Sequence, residues 1–358
     1  MWSDKRAIDL LEIEHPVIQA PMAGPTNPQL VAAVCEAGGL GGLGAAGESP
    51  NDLRSAIREI RSLTDRPFNV NLFNRSTERY DSEVRSGPLL NELLQSYHSE
   101  MGLGPVPDPV PLYGPADKQL EVLIDERVPV VSFHFGVDAP TVTSAKETGT
   151  KVLCSATTVN EAILLEELGV DVIIAQGAEA GGHRGTFQGD YRQALIGTVA
   201  LVPRIVDAVS VPVIAAGGIM DSRGIVACLA LGASAVQMGT AFLGSPEATV
   251  APVWCDALEG AEAESTLVTE VFSGKPARGL HNRYIEELEA IDEPLLPYPA
   301  QFAVSRELRK EAARRGEASF VAIWAGQGVG FLRRQPAAEL VKQLVADSQQ
   351  LINRLARD

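Results

Sequence analysis

The chain has 358 residues, 45% of them hydrophobic, and a formal net charge of −16. That size allows one large α/β barrel or two ordinary domains, and the negative field argues against nucleic acid and anionic membrane surfaces as partners. Cys35, Cys154, Cys228 and Cys255 lack zinc-type spacing, and no run of about 18 uncharged apolar residues occurs, so a soluble, cytoplasmic protein without a metal site is expected.

Eight short apolar or β-branched runs follow one another along the chain: Val17 to Ala23, Gly39 to Ala46, Pro67 to Phe73, Val128 to Phe135, Thr150 to Ala156, Val170 to Gln176, Val211 to Gly217 and Ala233 to Phe242. Continuous apolar character, as opposed to alternation, is what a parallel strand buried on both faces requires. The second run, GLGGLGAA at its heart, is the weakest because it has almost no β-branched residue. Amphipathic stretches separate most of them, at Asn27 to Ala37, Asp52 to Leu63, Thr141 to Glu147, Thr158 to Leu168, Gly197 to Ala208 and Ser222 to Leu231. Ser49-Pro50 and Asp221-Ser222 are helix-start signals. Strands followed for the most part by helices predict an α/β fold, a (β/α)8 TIM barrel, over residues 1–244.

Two stretches break the alternation. Residues 74–127, rich in proline, read as a loop-plus-helix insertion on the active face after the third strand. Residues 245–358 read as a mostly helical region packing on the barrel and closing the active site, with Leu340, Val341, Leu344, Val345, Ile352 and Leu355 on one helical face.

Function in such a barrel sits at the C-terminal strand ends. The first strand ends at Met22, whose thioether can lie against a flat ring. The third offers Asn71, the fourth His134, the sixth Gln176. The seventh ends in Gly217-Gly218 and the eighth in Gln237-Met238-Gly239-Thr240; paired glycines there leave free amides for one phosphate. After the sixth strand comes Gly181-Gly182-His183-Arg184-Gly185, a lone imidazole in a glycine-rich loop and the first candidate for a general base. His134 fits either a satisfied core histidine or a pocket residue; the strand end favours the pocket. His15 and His98 read as solvated or capping residues. Gly39-Leu-Gly41-Gly-Leu-Gly44 matches the dinucleotide fingerprint in letters only, because no helix opens at its third glycine. Together the strand ends argue for a flavin mononucleotide (FMN) site.

From Ile18-Gln-Ala-Pro-Met-Ala-Gly24 through Ala175 to Gly185, and on to Trp324-Ala-Gly-Gln-Gly328, the chain resembles the nitronate monooxygenases, formerly called 2-nitropropane dioxygenases, of the class I-like kind. The resemblance implies an FMN-containing barrel enzyme that oxidises alkyl nitronates, and possibly neutral nitroalkanes, with O2 to carbonyl compounds and nitrite. It implies that Met22, Asn71, Gln176, Gly181, Gly182, Gly217, Gly218, Gln237, Gly239, Thr240, Trp324 and Gln327 hold the flavin. His183 would face the substrate, in a pocket shared with His134, Tyr113, Tyr298 and Arg306, in a monomer or homodimer. The alternatives are an FMN-dependent enoyl-(acyl carrier protein) reductase or NAD(P)H:quinone reductase on the same barrel, and a non-catalytic flavin-binding barrel. Gln176, where such reductases carry an acidic residue more often, and the Trp324 to Gly328 segment favour the oxygenase.

Overall fold

The computed structural model describes residues 2–74, 84–109 and 116–357. Every one of the eight apolar runs supplies a barrel strand: β1 (Val17–Gln19), β2 (Gly42–Gly44), β3 (Asn69–Phe73), β4 (Val130–His134), β5 (Lys151–Ala156), β6 (Val172–Gln176), β8 (Val213–Ala216) and β9 (Ala235–Met238). Three further strands, β7 (Gly182–His183), β10 (Thr266–Thr269) and β11 (Ala277–Leu280), lie outside the barrel. The eight pair in parallel in the order β1-β9-β8-β6-β5-β4-β3-β2, and isolated parallel bridges Ile18 to Leu40 and Ala23 to Gly44 join the two ends. β2 is short because its three residues are glycine, leucine and glycine, which offer little β-branched surface for packing.

Side-chain caps start five of the barrel helices, two of them at the Ser49 and Asp221 signals. Asn27 accepts from the Leu30 N–H, Ser49 from Asp52, Asp138 from Thr141, Thr158 from Glu161, and Asp221 from Arg223 and Gly224.

Two hydrophobic cores divide the chain differently from a cut at residue 244. Leu340, Val341, Leu344 and Val345 of the helix Ala337–Leu355 belong to the barrel core, where that helix packs between Pro28–Glu36 and Ser222–Ala230. It therefore takes the place of the barrel's last helix. Leu355, expected on the apolar face, is exposed. Within 74–127, the helix Ala116–Asp125 joins the barrel core through Val122 and Leu123. The helix Pro88–Glu100 instead buries Leu90, Leu94 and Tyr97 in a second core with Phe272, Tyr284, Leu308 and Phe320. His98, read as solvated or capping, is buried on that helix with Nδ1 2.9 Å from the Gly104 carbonyl.

The region after β9 also contains what helical periodicity does not announce, an antiparallel sheet in the order β10-β11-β7. In it Ala277 pairs with His183 and Arg278 with Gly182. The loop after β6 is thus bound as an edge strand to the region between β9 and the helix Ala337–Leu355, the cap of the barrel. No helix among the described residues is long and apolar enough to cross a membrane.

Candidate active site

A cavity of about 330 Å³ opens at the C-terminal ends of the barrel strands, within the range of small-molecule sites. Its wall brings together Met22, Asn71, His134, Gln176, Gly181, Gly182, His183, Gly217, Gly218, Gln237, Gly239, Thr240 and Trp324. Tyr298 is adjacent, its ring centroid 5.9 Å from that of His183. Gln327 contributes backbone and not cavity wall, donating its N–H to the Glu179 carbonyl at 2.9 Å. Arg306 is exposed at the start of the helix Arg306–Arg315 and does not line the cavity. Tyr113 lies outside the described residues.

Glycine is required where backbones meet. A Cβ on Gly181 would stand 2.5 Å from the Gly326 nitrogen, so only a bare backbone lets the His183 loop and the Trp324–Gly328 segment touch. Gly218 has φ +71°, a left-handed conformation that favours glycine. Gly326 in turn donates its N–H to Thr240 Oγ1 at 2.9 Å. Three distant glycine segments are locked into one rim.

The imidazole of His183 sits inside a ring of aromatic side chains. Trp324, Phe135, Tyr298 and Phe73 have centroids 5.7, 5.9, 5.9 and 6.0 Å from its own. Its Nε2 lies 2.9 Å from Ser273 Oγ, whose hydroxyl donates to the Lys275 carbonyl at 3.0 Å. A hydroxyl has one proton; with that proton on the carbonyl, this network assigns the imidazole proton to Nε2 and leaves Nδ1 as the acceptor. Burial above all, then the charges of His134 and Lys275, pushes the His183 pKa down to about 3. The ring is neutral at neutral pH.

The loop that carries it is braced from behind. Gln176 spans it, donating Nε2 to the His183 carbonyl at 2.9 Å and accepting the Gly185 N–H on Oε1 at 2.7 Å. His134 places Nε2 3.0 Å from the same carbonyl and Nδ1 3.0 Å from Ser155 Oγ, so both its nitrogens are engaged; burial pushes its pKa down to about 4. Arg184 is only 1% exposed and holds three carbonyls, those of Gly177, Gln176 and Ala194, at 2.5, 3.0 and 3.2 Å. The Lys275 ammonium stands 4.3 Å from the Phe135 centroid and 5.5 Å from that of Tyr298. Sequence reasoning passed over Ser273, Lys275, Phe73 and Phe135. Phe73 and Phe135 are strand-end residues and were open to the same reasoning that found His134. Ser273 and Lys275 carried no such signal, because they reach the site only through the unexpected sheet.

A flavin fits this wall on its own chemistry. Gln237 Oε1 is buried without a hydrogen-bond partner, and a ring N–H is the kind of donor it lacks. Apolar Met22 and Trp324 share the wall with the amides of Asn71 and Gln176.

Residues 4–347 match the family model described as nitronate monooxygenase. The chain is 41% identical over 357 residues to a probable nitronate monooxygenase of Staphylococcus saprophyticus, covering 98% of this chain and 99% of that protein. It is 40% identical over 359 residues to one of Staphylococcus aureus strain MSSA476, with the same coverage. Among solved structures it resembles nitroalkane oxidase from Streptomyces ansochromogenes, with TM-score 0.88, 39% identity, and 98% and 99% of the two chains covered. It also resembles FabK from Thermotoga maritima, with TM-score 0.77, 33% identity and 98% of each chain covered.

Proposed function

The chain belongs to the nitronate monooxygenase family, which is flavin-dependent, and from that premise we propose that its cavity holds FMN and that it oxidises alkyl nitronates with O2 to carbonyl compounds and nitrite. The observation that carries the reading is the meeting, in one cavity, of a glycine rim at Gly217, Gly218, Gly239 and Thr240 with a neutral, ring-enclosed His183. The rim would hold the phosphate through backbone amides; Met22, Asn71, Gln176 and Gln237 would hold the ring. FMN, when bound, supplies the redox chemistry and the reaction with oxygen.

The chain's own residues do the rest. A nitronate arrives already ionised and needs orientation and charge relief. Lys275, behind the Phe135 and Tyr298 rings, supplies positive charge close to the site. With a neutral nitroalkane, His183 takes the α-proton at Nδ1, and the nitronate formed beside it stabilises the imidazolium, offsetting the burial that depresses its pKa. The four aromatic rings keep bulk water from that proton.

Releasing the cofactor of the purified protein by denaturation and identifying it chromatographically tests the cofactor assignment. FMN is expected. Recovery of FAD, or a colourless protein that ignores added FMN, contradicts it.

A further inference from the structure

The glycine rim has to meet a phosphate with backbone, since no lysine or arginine is among the described residues that line the cavity. Amides grip an anion only as well as they are aimed beforehand. What fixes the rim therefore decides its grip. Glu179 lies behind the wall, half-buried, where the segments of the rim meet.

Its side chain caps a helix to which it does not belong. The helix Thr198–Val206 starts after Gly197, which has no side chain to accept the first amides. Glu179 supplies that acceptor from the loop after β6: both carboxylate oxygens accept the Thr198 N–H, at 2.9 and 3.0 Å, and Oε2 accepts the Thr198 hydroxyl at 2.8 Å. A carboxylate also suits the positive end of a helix.

The same hydroxyl lies 3.0 Å from the Gly217 carbonyl, so its single proton is shared between carboxylate and carbonyl. In a planar trans peptide C=O and N–H point oppositely; the Gly217 carbonyl held at Thr198 thus turns the Gly218 N–H away from Thr198. The Glu179 main chain reaches the third segment, its carbonyl accepting the Gln327 N–H at 2.9 Å. Packing is close at each contact. A Cβ on Gly177 would stand 2.5 Å from Glu179 Oε2, and one on Gly326 2.6 Å from the Glu179 carbonyl oxygen.

We propose that Glu179 is the positioning residue of the phosphate grip: it holds Thr198, and through Thr198 the Gly217-Gly218 peptide, so that the rim amides converge on one phosphate. The inference rests on the reading of the cavity as an FMN site. The role is reach and not charge, because a carboxylate on this side of the rim only repels a phosphate. Glutamine at 179 keeps the clamp, with Oε1 accepting the Thr198 N–H and Nε2 donating to Thr198 Oγ1, whose proton then goes to the Gly217 carbonyl.

Riboflavin, which has the ring and ribityl chain of FMN without the phosphate, separates this role from a general one. Fluorescence titrations of the full-length chain, freed of flavin by dialysis, compare the two ligands. Glu179→Ala is expected to weaken FMN binding about tenfold, the scale of one hydrogen bond in the grip, and riboflavin binding by less than about twofold. Glu179→Gln is expected to bind FMN at least as tightly as the unaltered chain. Should Glu179→Ala fail to fold, Thr198→Val, which removes the hydroxyl and keeps the amide, is expected to show the same selective loss. Equal weakening of FMN and riboflavin, unchanged FMN affinity in the folded Ala or Val variant, or a loss in Glu179→Gln as large as in Glu179→Ala would overturn the proposal. An unaltered chain that binds neither ligand would overturn the FMN reading itself, and this proposal with it.

Discussion

The glycine rim and the enclosure of His183 share one cavity but are made of different material. The rim is almost all backbone: Gly181 admits the Gly326 amide and Gly218 turns with φ +71°, and a single side-chain hydroxyl, Thr240 Oγ1, ties the segments together. The enclosure is side chain, with rings from β3, the end of β4, the cap and the Trp324 segment surrounding one imidazole whose Nε2 is held by Ser273. A backbone rim grips a ligand without titrating and without choosing among substrates. A side-chain enclosure sets protonation and charge. Binding of the flavin and choice of substrate should therefore fail separately.

The largest expected effect lies in the enclosure. His183→Asn is expected to lower turnover of neutral nitroalkanes by on the order of 10²-fold or more, the scale of general base catalysis, and turnover of nitronates much less, with flavin content near wild type. Steady-state assays on both forms of one substrate read the contrast; equal losses would make His183 a binding residue and not the base. In the rim, Gly218→Ala forces a left-handed alanine, costing about 1–2 kcal/mol, and puts its Cβ 3.2 Å from that of Glu179. A flavin titration followed by fluorescence is expected to show about tenfold weaker binding, while turnover at saturating flavin stays near normal.

Smaller effects sharpen the same division. Lys275→Met is expected to raise KM for nitronates roughly severalfold, the scale of one partly screened charge, without raising it for neutral nitroalkanes. Lys275→Arg should restore it, and an equal rise for both substrates would reduce Lys275 to packing. The pH dependence of stability comes last. His134 and His183 are held neutral below the ordinary imidazole pKa of 6.5, at about 4 and 3. Their unfolded forms protonate first, so the stability they leave intact above about pH 6.5 drains away as pH falls toward 4 and then 3, by at most about 1.4 kcal/mol per pH unit for each. Melting temperatures of wild type and His134→Gln across pH 7 to 4 measure it; parallel curves would mean that His134 is not buried neutral.

Most of the rim was legible in the sequence because its signals are local. A parallel strand buried on both faces leaves a continuous apolar run, and a glycine pair at its end stands out beside it, as at Ala215-Ala216-Gly217-Gly218. Much of the enclosure was not. His183 announced itself by its glycines, but Ser273 and Lys275 reach it only because β11 pairs with β7, and two-residue β7 carries no periodicity to read. The end of the barrel was hidden for a related reason: nothing in the amphipathic pattern of Ala337–Leu355 tells which of two cores its apolar face enters. Arg306 was a basic residue of the right kind on a helix whose first position faces solvent.

The reading of the site as a nitronate-oxidising flavin centre, and not a reductase on the same barrel, is tested most directly by anaerobic mixing of the flavin-loaded protein with ethyl nitronate and, separately, with NADPH. The account expects the flavin absorbance to change with the nitronate and to stay unchanged with NADPH alone. Bleaching by NADPH together with indifference to the nitronate would contradict it.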